Sequence, residues 1–124
     1  MDHPSVLVVD DEPNVALVLQ LSLQHEGFAT YQARDGIEAL EQIQLHHPAL
    51  MVLDVMMPRM DGWTVLQELA KLPFEERPRV VMVTALATRD DREKAVALGA
   101  DAYVPKPFDL GELIGVLEGL ALAS

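Results

Sequence analysis

Short apolar runs separated by longer helical segments are the feature that most constrains the fold of this chain. The runs at residues 6–9, 50–53 and 80–83 contain no polar side chain. A strand whose side chains are apolar on both faces is usually buried on both faces, as in a parallel sheet covered by helices on each side. The helical segments between the runs supply the long crossovers that parallel strands require. The sequence therefore predicts an α/β fold.

Five strands and five helices are predicted in alternation. The sequence places strands at residues 5–9, 28–32, 50–53, 79–83 and 102–104, and helices at residues 13–25, 36–46, 62–72, 89–98 and 109–122. Asp11-Glu12-Pro13 suits a helix cap followed by a first-turn proline, and Gly27 suits a helix end. The second strand carries Thr30 and Gln32 and the fifth is short, so both suit the edges of the sheet. This arrangement predicts a doubly wound five-stranded parallel sheet in the order 2-1-3-4-5.

Size and composition narrow the class of protein. The 124 residues, half of them apolar, predict a single domain spanning residues 1–124 with one core. The absence of cysteine excludes disulfides and thiolate metal sites. No segment is apolar over the length of a bilayer span, and residues 1–5 lack the basic and apolar regions of a signal peptide. We therefore expect a cytoplasmic protein with no membrane partner.

The charge balance argues against nucleic acid as a direct partner. Twenty acidic residues against nine basic ones give a formal net charge of −11. Such a surface repels phosphate backbones. Solubility alone also explains a high negative charge. Whether any acidic residues form a site therefore depends on their positions in the fold.

Chemically active side chains follow four of the predicted strands. Asp10 and Asp11 follow the first strand, Asp54 the third, Thr84 the fourth and Lys106 the fifth. Each alone suits a helix cap, a turn or a solvated lysine, but the carboxyl ends of parallel strands meet at one edge of the sheet. Three adjacent carboxylates need a cation to offset their repulsion, and oxygen ligands suit Mg²⁺, with Mn²⁺ as an alternative. A carboxylate beside a metal and an ammonium can form an acyl phosphate.

Four motifs resemble the receiver domains of two-component response regulators. They are Val9-Asp10-Asp11-Glu12, residues 53–62 (LDVMMPRMDG), Val83-Thr84-Ala85 and Lys106-Pro107-Phe108. The resemblance extends from residue 6 to about residue 120. It implies the flavodoxin-like (βα)5 fold, in agreement with the strand order predicted from the residues.

The resemblance also implies a set of metal ligands. Asp11 and Asp54 are expected to bind Mg²⁺ directly, Asp10 through water, and Met56 through its backbone carbonyl. From the residues themselves, Asp61 is expected to cap the following helix and Gly62 to permit a close approach of the backbone.

Phosphoryl transfer and signalling involve further residues in the resembled family. Asp54 is implied to be the phosphoacceptor, Lys106 to contact the phosphoryl group, Thr84 to be the switch hydroxyl and Tyr103 the switch aromatic. The bond between Lys106 and Pro107 is expected to be cis.

The implied function is a phosphoacceptor switch of a phosphorelay. A histidine kinase or histidine phosphotransfer protein would donate the phosphoryl group, and helix four, strand five and helix five would carry the signal. The receiver would signal to a downstream effector or to an output domain outside this chain, and would catalyse only its own phosphorylation and dephosphorylation. Asn14, Val15 and Val18 on the apolar first helix are a candidate docking surface for the donor, although a tightly packed helix over a thick core also accounts for them.

Two other functions compete with this interpretation. A degenerate receiver would bind partners without phosphorylation, which the complete set of acidic, hydroxyl and lysine residues disfavours. A haloacid-dehalogenase-like phosphohydrolase would have a second acid two residues after Asp54, where Met56 stands, and a substrate cap. The last helix lacks the basic residues of one common receiver dimer and contains Gly111, Gly115 and Gly119. That dimer is therefore not expected, and the oligomeric state stays open.

Overall fold

The computed structural model describes residues 4–86 and 88–123, without the side chain of residue 123. Its strands are β1 (Ser5–Val9), β2 (Ala29–Ala33), β3 (Leu50–Leu53), β4 (Arg79–Thr84) and β5 (Ala102–Pro105). Its helices are α1 (Pro13–His25), α2 (Gly36–His46), α3 (Gly62–Leu69), α4 (Arg89–Ala97) and α5 (Leu110–Ala123), with a short 3₁₀ helix at Phe74–Glu76. Residues 1–3, on which the signal-peptide expectation partly rests, lie outside the described residues, as do residues 87 and 124 of the predicted domain.

The five strands form one parallel sheet in the order β2-β1-β3-β4-β5, as predicted. Alternate residues of the central strands face opposite layers of helices. Leu7, Met51 and Met82 pack in a core cluster with α2, α3 and α4, whereas Val8, Val52 and Val83 pack in a second cluster with α1 and α5. Burial of both faces explains why these strands contain continuous apolar runs.

The bounds of several elements differ from the prediction by one to three residues. The largest difference is α3, which ends at Leu69 because the next residues form a tighter turn. There the amides of Lys71 and Leu72 bond the carbonyls three residues back, and the Arg77 guanidinium bonds the carbonyls of Ala70 and Leu72. Shorter-range bonds of this kind commonly close a helix.

The helix starts show one correct and one wrong prediction. Asp61 caps α3 as predicted, since its carboxylate accepts from the amide of Thr64 at 2.9 Å. At α1, however, the prediction that Asp11 and Glu12 cap the helix was wrong in its chemistry. Glu12 is the N-cap residue without a side-chain cap bond, and its amide donates instead to the Asp10 carboxylate at 2.9 Å. The second oxygen of the Asp10 carboxylate accepts from Lys106 Nζ at 3.0 Å, so Asp10 bonds both the start of α1 and the sheet edge.

No described helix is both long and apolar enough to span a bilayer.

Candidate functional site

The two central strands deliver two carboxylates to the same edge of the sheet. Val9 of β1 pairs with Leu53 of β3, so the next residues, Asp10 and Asp54, lie side by side. The amide of Asp54 donates to the carbonyl of Val9 at 3.2 Å and fixes this register one residue beyond the strands. Asp10 is 4 % exposed and Asp54 6 % exposed. The strand order, in which the chain direction reverses between β1 and β3, therefore creates a buried acidic edge.

Lys106 bridges the two carboxylates. Its amide donates to the carbonyl of Thr84 at 2.8 Å, which anchors the end of β5 beside β4. Its Nζ donates to Asp10 Oδ2 at 3.0 Å and to Asp54 Oδ2 at 2.9 Å. Burial alone would lower the pKa of Lys106, but the hydrogen bonds to Asp54 and Asp10 outweigh it and raise that pKa. The ammonium therefore stays charged, and the Lys106–Pro107 bond beside it is cis, as implied by the resemblance.

Asp11 completes a three-carboxylate cluster. Carboxylate oxygens of Asp10, Asp11 and Asp54 all lie within 4.8 Å of one another, and Asp11 is exposed whereas the other two residues are buried. Three carboxylates and one ammonium leave two negative charges, which a divalent cation would neutralise. An all-oxygen set with one solvent-facing side suits Mg²⁺, which binds few carboxylates and keeps several waters. The donor set thus fits the predicted metal.

The loop between β3 and α3 folds closely over Asp54. The amide of Met56 donates to the Asp54 carboxylate at 3.3 Å, and the amide of Gly62 donates to the carbonyl of Val55 at 2.9 Å. A β-carbon on Gly62 would lie 2.4 Å from the carbonyl oxygen of Asp54, so this position has no room for a side chain. The Met56 side chain is 63 % exposed beside a cavity of about 650 Å³ that Asp11 and Trp63 also line. Met56 is therefore close to the acidic cluster through its backbone.

Thr84 and Tyr103 lie on the neighbouring strands β4 and β5. Thr84 is fully buried, and its hydroxyl accepts from the amide of Leu86 at 3.3 Å. The Tyr103 hydroxyl is buried and has no hydrogen-bond partner among the described residues. Burial raises the pKa of this phenol, and the Arg92 guanidinium lies 5.5 Å from the ring centroid.

The three predicted docking residues come together in one groove. Asn14, Val15 and Val18 line a groove of about 620 Å³ with Pro107 and Phe108, directly beside Lys106. Val18 is 54 % exposed, so this apolar side chain of α1 is not part of the buried core.

Residues 6–118 match the family model of the response regulator receiver domain. The chain belongs to this family. A receiver domain is a regulatory domain rather than an ordinary enzyme, and the family is consistent with a phosphoacceptor role. The predicted family and fold are thereby confirmed, whereas the roles of the individual site residues stay predictions.

The curated relatives that match this receiver domain are longer than it. The probable transcriptional regulator ycf27 of Cyanophora paradoxa is 48 % identical over 113 residues, covering 91 % of this chain and 46 % of the relative. The response regulator MprA of Mycobacterium ulcerans is 41 % identical over 115 residues, covering 93 % of this chain and 49 % of the relative. The chain thus spans less than half the length of these two relatives.

Solved structures of similar chains agree with the fold. The receiver domain of the Francisella response regulator 1452 is 32 % identical with a TM-score of 0.90, covering 97 % of this chain and 98 % of that one. The chemotaxis response regulator CheY4 of Vibrio cholerae is 26 % identical with a TM-score of 0.87, covering 95 % of this chain and 98 % of that one.

One contact at the edge of the site was not predicted from the sequence. Arg59, in the loop after β3, forms an ion pair with the buried carboxylate of Asp35, which precedes α2. No local pattern indicated this pair, because Asp35 and Arg59 are 24 positions apart in the sequence.

Proposed function

We propose that this receiver domain accepts a phosphoryl group on Asp54 from a phosphohistidine of a histidine kinase or a histidine phosphotransfer protein, in a Mg²⁺-dependent reaction. The observation that carries the proposal is the position of the Asp54 carboxylate. It is nearly buried at the sheet edge, bonded by Lys106 and within 4.8 Å of carboxylate oxygens of Asp10 and Asp11.

The acidic cluster is the proposed metal site. Asp11 and Asp54 would bind Mg²⁺ directly, with the backbone carbonyl of Met56, and Asp10 would act through water. When bound, the cation supplies charge neutralisation for the carboxylate and the incoming phosphoryl oxygens. Without such charge compensation, the remaining negative charge of the cluster would repel a phosphoryl donor.

In the proposed transfer, an Asp54 carboxylate oxygen attacks phosphorus in line. A new O–P bond forms as the N–P bond of the donor phosphohistidine breaks, and the imidazole leaves with the bonding electron pair. The Lys106 ammonium, already 2.9 Å from Asp54 Oδ2, would move onto a phosphoryl oxygen. Such reactions depend mainly on positioning and charge neutralisation, since little covalent chemistry is asked of the protein. Water later hydrolyses the acyl phosphate, and this restores the free Asp54 carboxylate.

The proposed response of the domain begins at Thr84. A phosphoryl oxygen would attract its hydroxyl away from the amide of Leu86, and the ring of Tyr103 would adjust to the space that Thr84 leaves. The Tyr103 hydroxyl is buried without a hydrogen-bond partner in the described part of the chain. This supports a mobile role, since an unsatisfied buried polar group is unfavourable. The surface formed by α4, β5 and α5 would then change. Phosphorylation can shift the balance between the resting and the rearranged conformation only by the difference in its interaction free energy with the two.

The output of the switch is proposed from the relatives. Similar proteins named as transcriptional regulators are about twice as long as this chain. We therefore infer that residues 1–124 act as one receiver domain, which passes its signal to an attached output domain or to a separate effector protein.

Incubation with acetyl phosphate tests this function. The wild-type chain is expected to gain one phosphoryl group by intact mass in the presence of Mg²⁺ and none within the same time when EDTA replaces the metal. Mg²⁺ titration should also change the fluorescence of Trp63, which lines the same cavity as Asp11. Equal phosphorylation with and without metal would contradict the proposed mechanism.

The groove beside Lys106 is the proposed docking surface for the phosphohistidine donor. Val18→Lys is expected to slow transfer from a phosphorylated histidine kinase about tenfold, because the interface would have to bury a charge in an apolar groove. Phosphorylation by acetyl phosphate should stay within about twofold of wild type, since a small donor needs no groove. The kinase for this assay is one whose phosphohistidine form phosphorylates the wild-type chain.

Leu17→Lys is the matched control, since Leu17 is also 54 % exposed on α1 but does not line the groove. Equal slowing by Val18→Lys with both donors, or an equal effect of both variants on the kinase reaction, would refute the docking surface.

A further inference from the structure

Arg59 has a backbone conformation that needs support from its surroundings. Its φ angle is 64°, in the left-handed region, where a β-carbon is unfavourable. The residue lies in the loop between β3 and α3, five positions after Asp54. A residue other than glycine usually keeps this conformation only when contacts with its surroundings hold it there.

The guanidinium supplies one such contact. Arg59 Nε donates to Asp35 Oδ2 at 2.8 Å, a second guanidinium nitrogen bonds the same oxygen, and Glu38 lies 4.0 Å away. Asp35 is 5 % exposed. Burial alone would raise the pKa of Asp35, but bonds from the Glu38 amide and from Arg59 outweigh it and lower the pKa, so the carboxylate is charged. Charge-assisted bonds to a buried carboxylate are stronger than an exposed ion pair.

A backbone contact joins the same two loops. The amide of Gly36 donates to the carbonyl of Met60 at 3.1 Å, and a β-carbon on Gly36 would lie 2.7 Å from that oxygen. The loop after β3 is therefore attached at its base, where the Met56 amide meets Asp54, and at its tip, where Arg59 and Met60 meet the turn before α2.

We propose that Arg59 is a positioning residue for the metal and phosphoryl site. Its ion pair with Asp35 holds the tip of the loop in the left-handed turn, and this fixes the backbone of Met56 beside the Asp54 carboxylate. The inference rests on the proposed function for its effect on Mg²⁺, but the restraint of the loop can be measured without metal. Mutation of a residue that orients a metal ligand without itself touching the metal commonly lowers metal affinity 10- to 100-fold.

Two variants separate the ion pair from the turn conformation. Arg59→Gly removes the guanidinium but adopts the left-handed turn without strain. Asp35→Asn removes the charge and keeps an oxygen that can cap α2 through the Glu38 amide. Arg34→Ala is the control, because Arg34 is exposed and its guanidinium pairs at 3.2 Å with Glu38 rather than with Asp35.

Hydrogen exchange of the metal-free protein and Mg²⁺ titration by Trp63 fluorescence are the measurements. In Arg59→Gly and Asp35→Asn, the amides of Gly36 and Gly62 are expected to exchange about tenfold faster. Mg²⁺ affinity is expected to fall about tenfold in both. The double variant should be no weaker than either single one, because both remove the same interaction. Arg34→Ala should match wild type in both measurements.

The inference would be overturned if the amides of Gly36 and Gly62 exchanged in Arg59→Gly at the wild-type rate. It would also be overturned if the Mg²⁺ affinity of that variant stayed within about twofold of wild type. Additive losses in the double variant would also overturn it. If the wild-type chain itself fails to bind Mg²⁺, the proposed function fails, while unchanged exchange in the variants would refute the restraint of the loop separately.

Discussion

Replacing Asp54 with Asn is expected to abolish phosphorylation by acetyl phosphate, to below about one thousandth of the wild-type rate, because a neutral amide is not the nucleophile that an acyl phosphate requires. The substitution nearly preserves size, so the sheet edge keeps its packing. It also removes one of the two carboxylates that Lys106 bridges. Intact mass after incubation with acetyl phosphate and Mg²⁺ measures the effect directly.

Asp109→Asn is the matched control for this experiment. Asp109 is an exposed aspartate whose carboxylate accepts from the Glu112 amide at 2.9 Å at the start of α5, and an asparagine oxygen can replace it. The control should accept one phosphoryl group at the wild-type rate. Phosphorylation of Asp54→Asn at a comparable rate would show that another residue is the acceptor and would contradict the assignment of Asp54.

Gly62→Ala is expected to lower the free energy of unfolding by about 3 kcal/mol, at the upper end of the usual cost of overpacking. The added β-carbon would lie 2.4 Å from the Asp54 carbonyl oxygen and 2.9 Å from the Val55 α-carbon, and both neighbours are backbone atoms. Backbone cannot move aside as a flexible side chain can, so α3 and the loop before it must shift. Urea unfolding followed by far-UV circular dichroism measures the change.

Gly115→Ala tests the same substitution where space is free. Gly115 is exposed on α5, and an added β-carbon there meets no atom within 4 Å. This variant is expected to raise the free energy of unfolding by up to about 1 kcal/mol, because alanine is the better helix former. An unchanged unfolding midpoint for Gly62→Ala would refute the close approach at the β3–α3 loop.

The sequence predicted the fold because burial on both faces of a parallel strand leaves a continuous apolar run. It predicted the strand order because Thr30 and Gln32 mark an edge strand, and β2 is indeed at the edge. It predicted which residues share the sheet edge for a similar reason. Parallel strands all end at that edge, so Asp10 and Asp54 become neighbours once β1 and β3 pair.

Tertiary structure alone decided how these residues are held. Lys106 bridges Asp10, 96 positions away, and Asp54, 52 positions away. Arg59 meets Asp35 across two loops, and the Asp10 carboxylate bonds the start of α1 where a different cap was predicted. Local patterns report burial and backbone preference, which repeat along each element. The partner of a single charged side chain depends on which distant loops the sheet brings together, so it carries no periodic signal in the sequence.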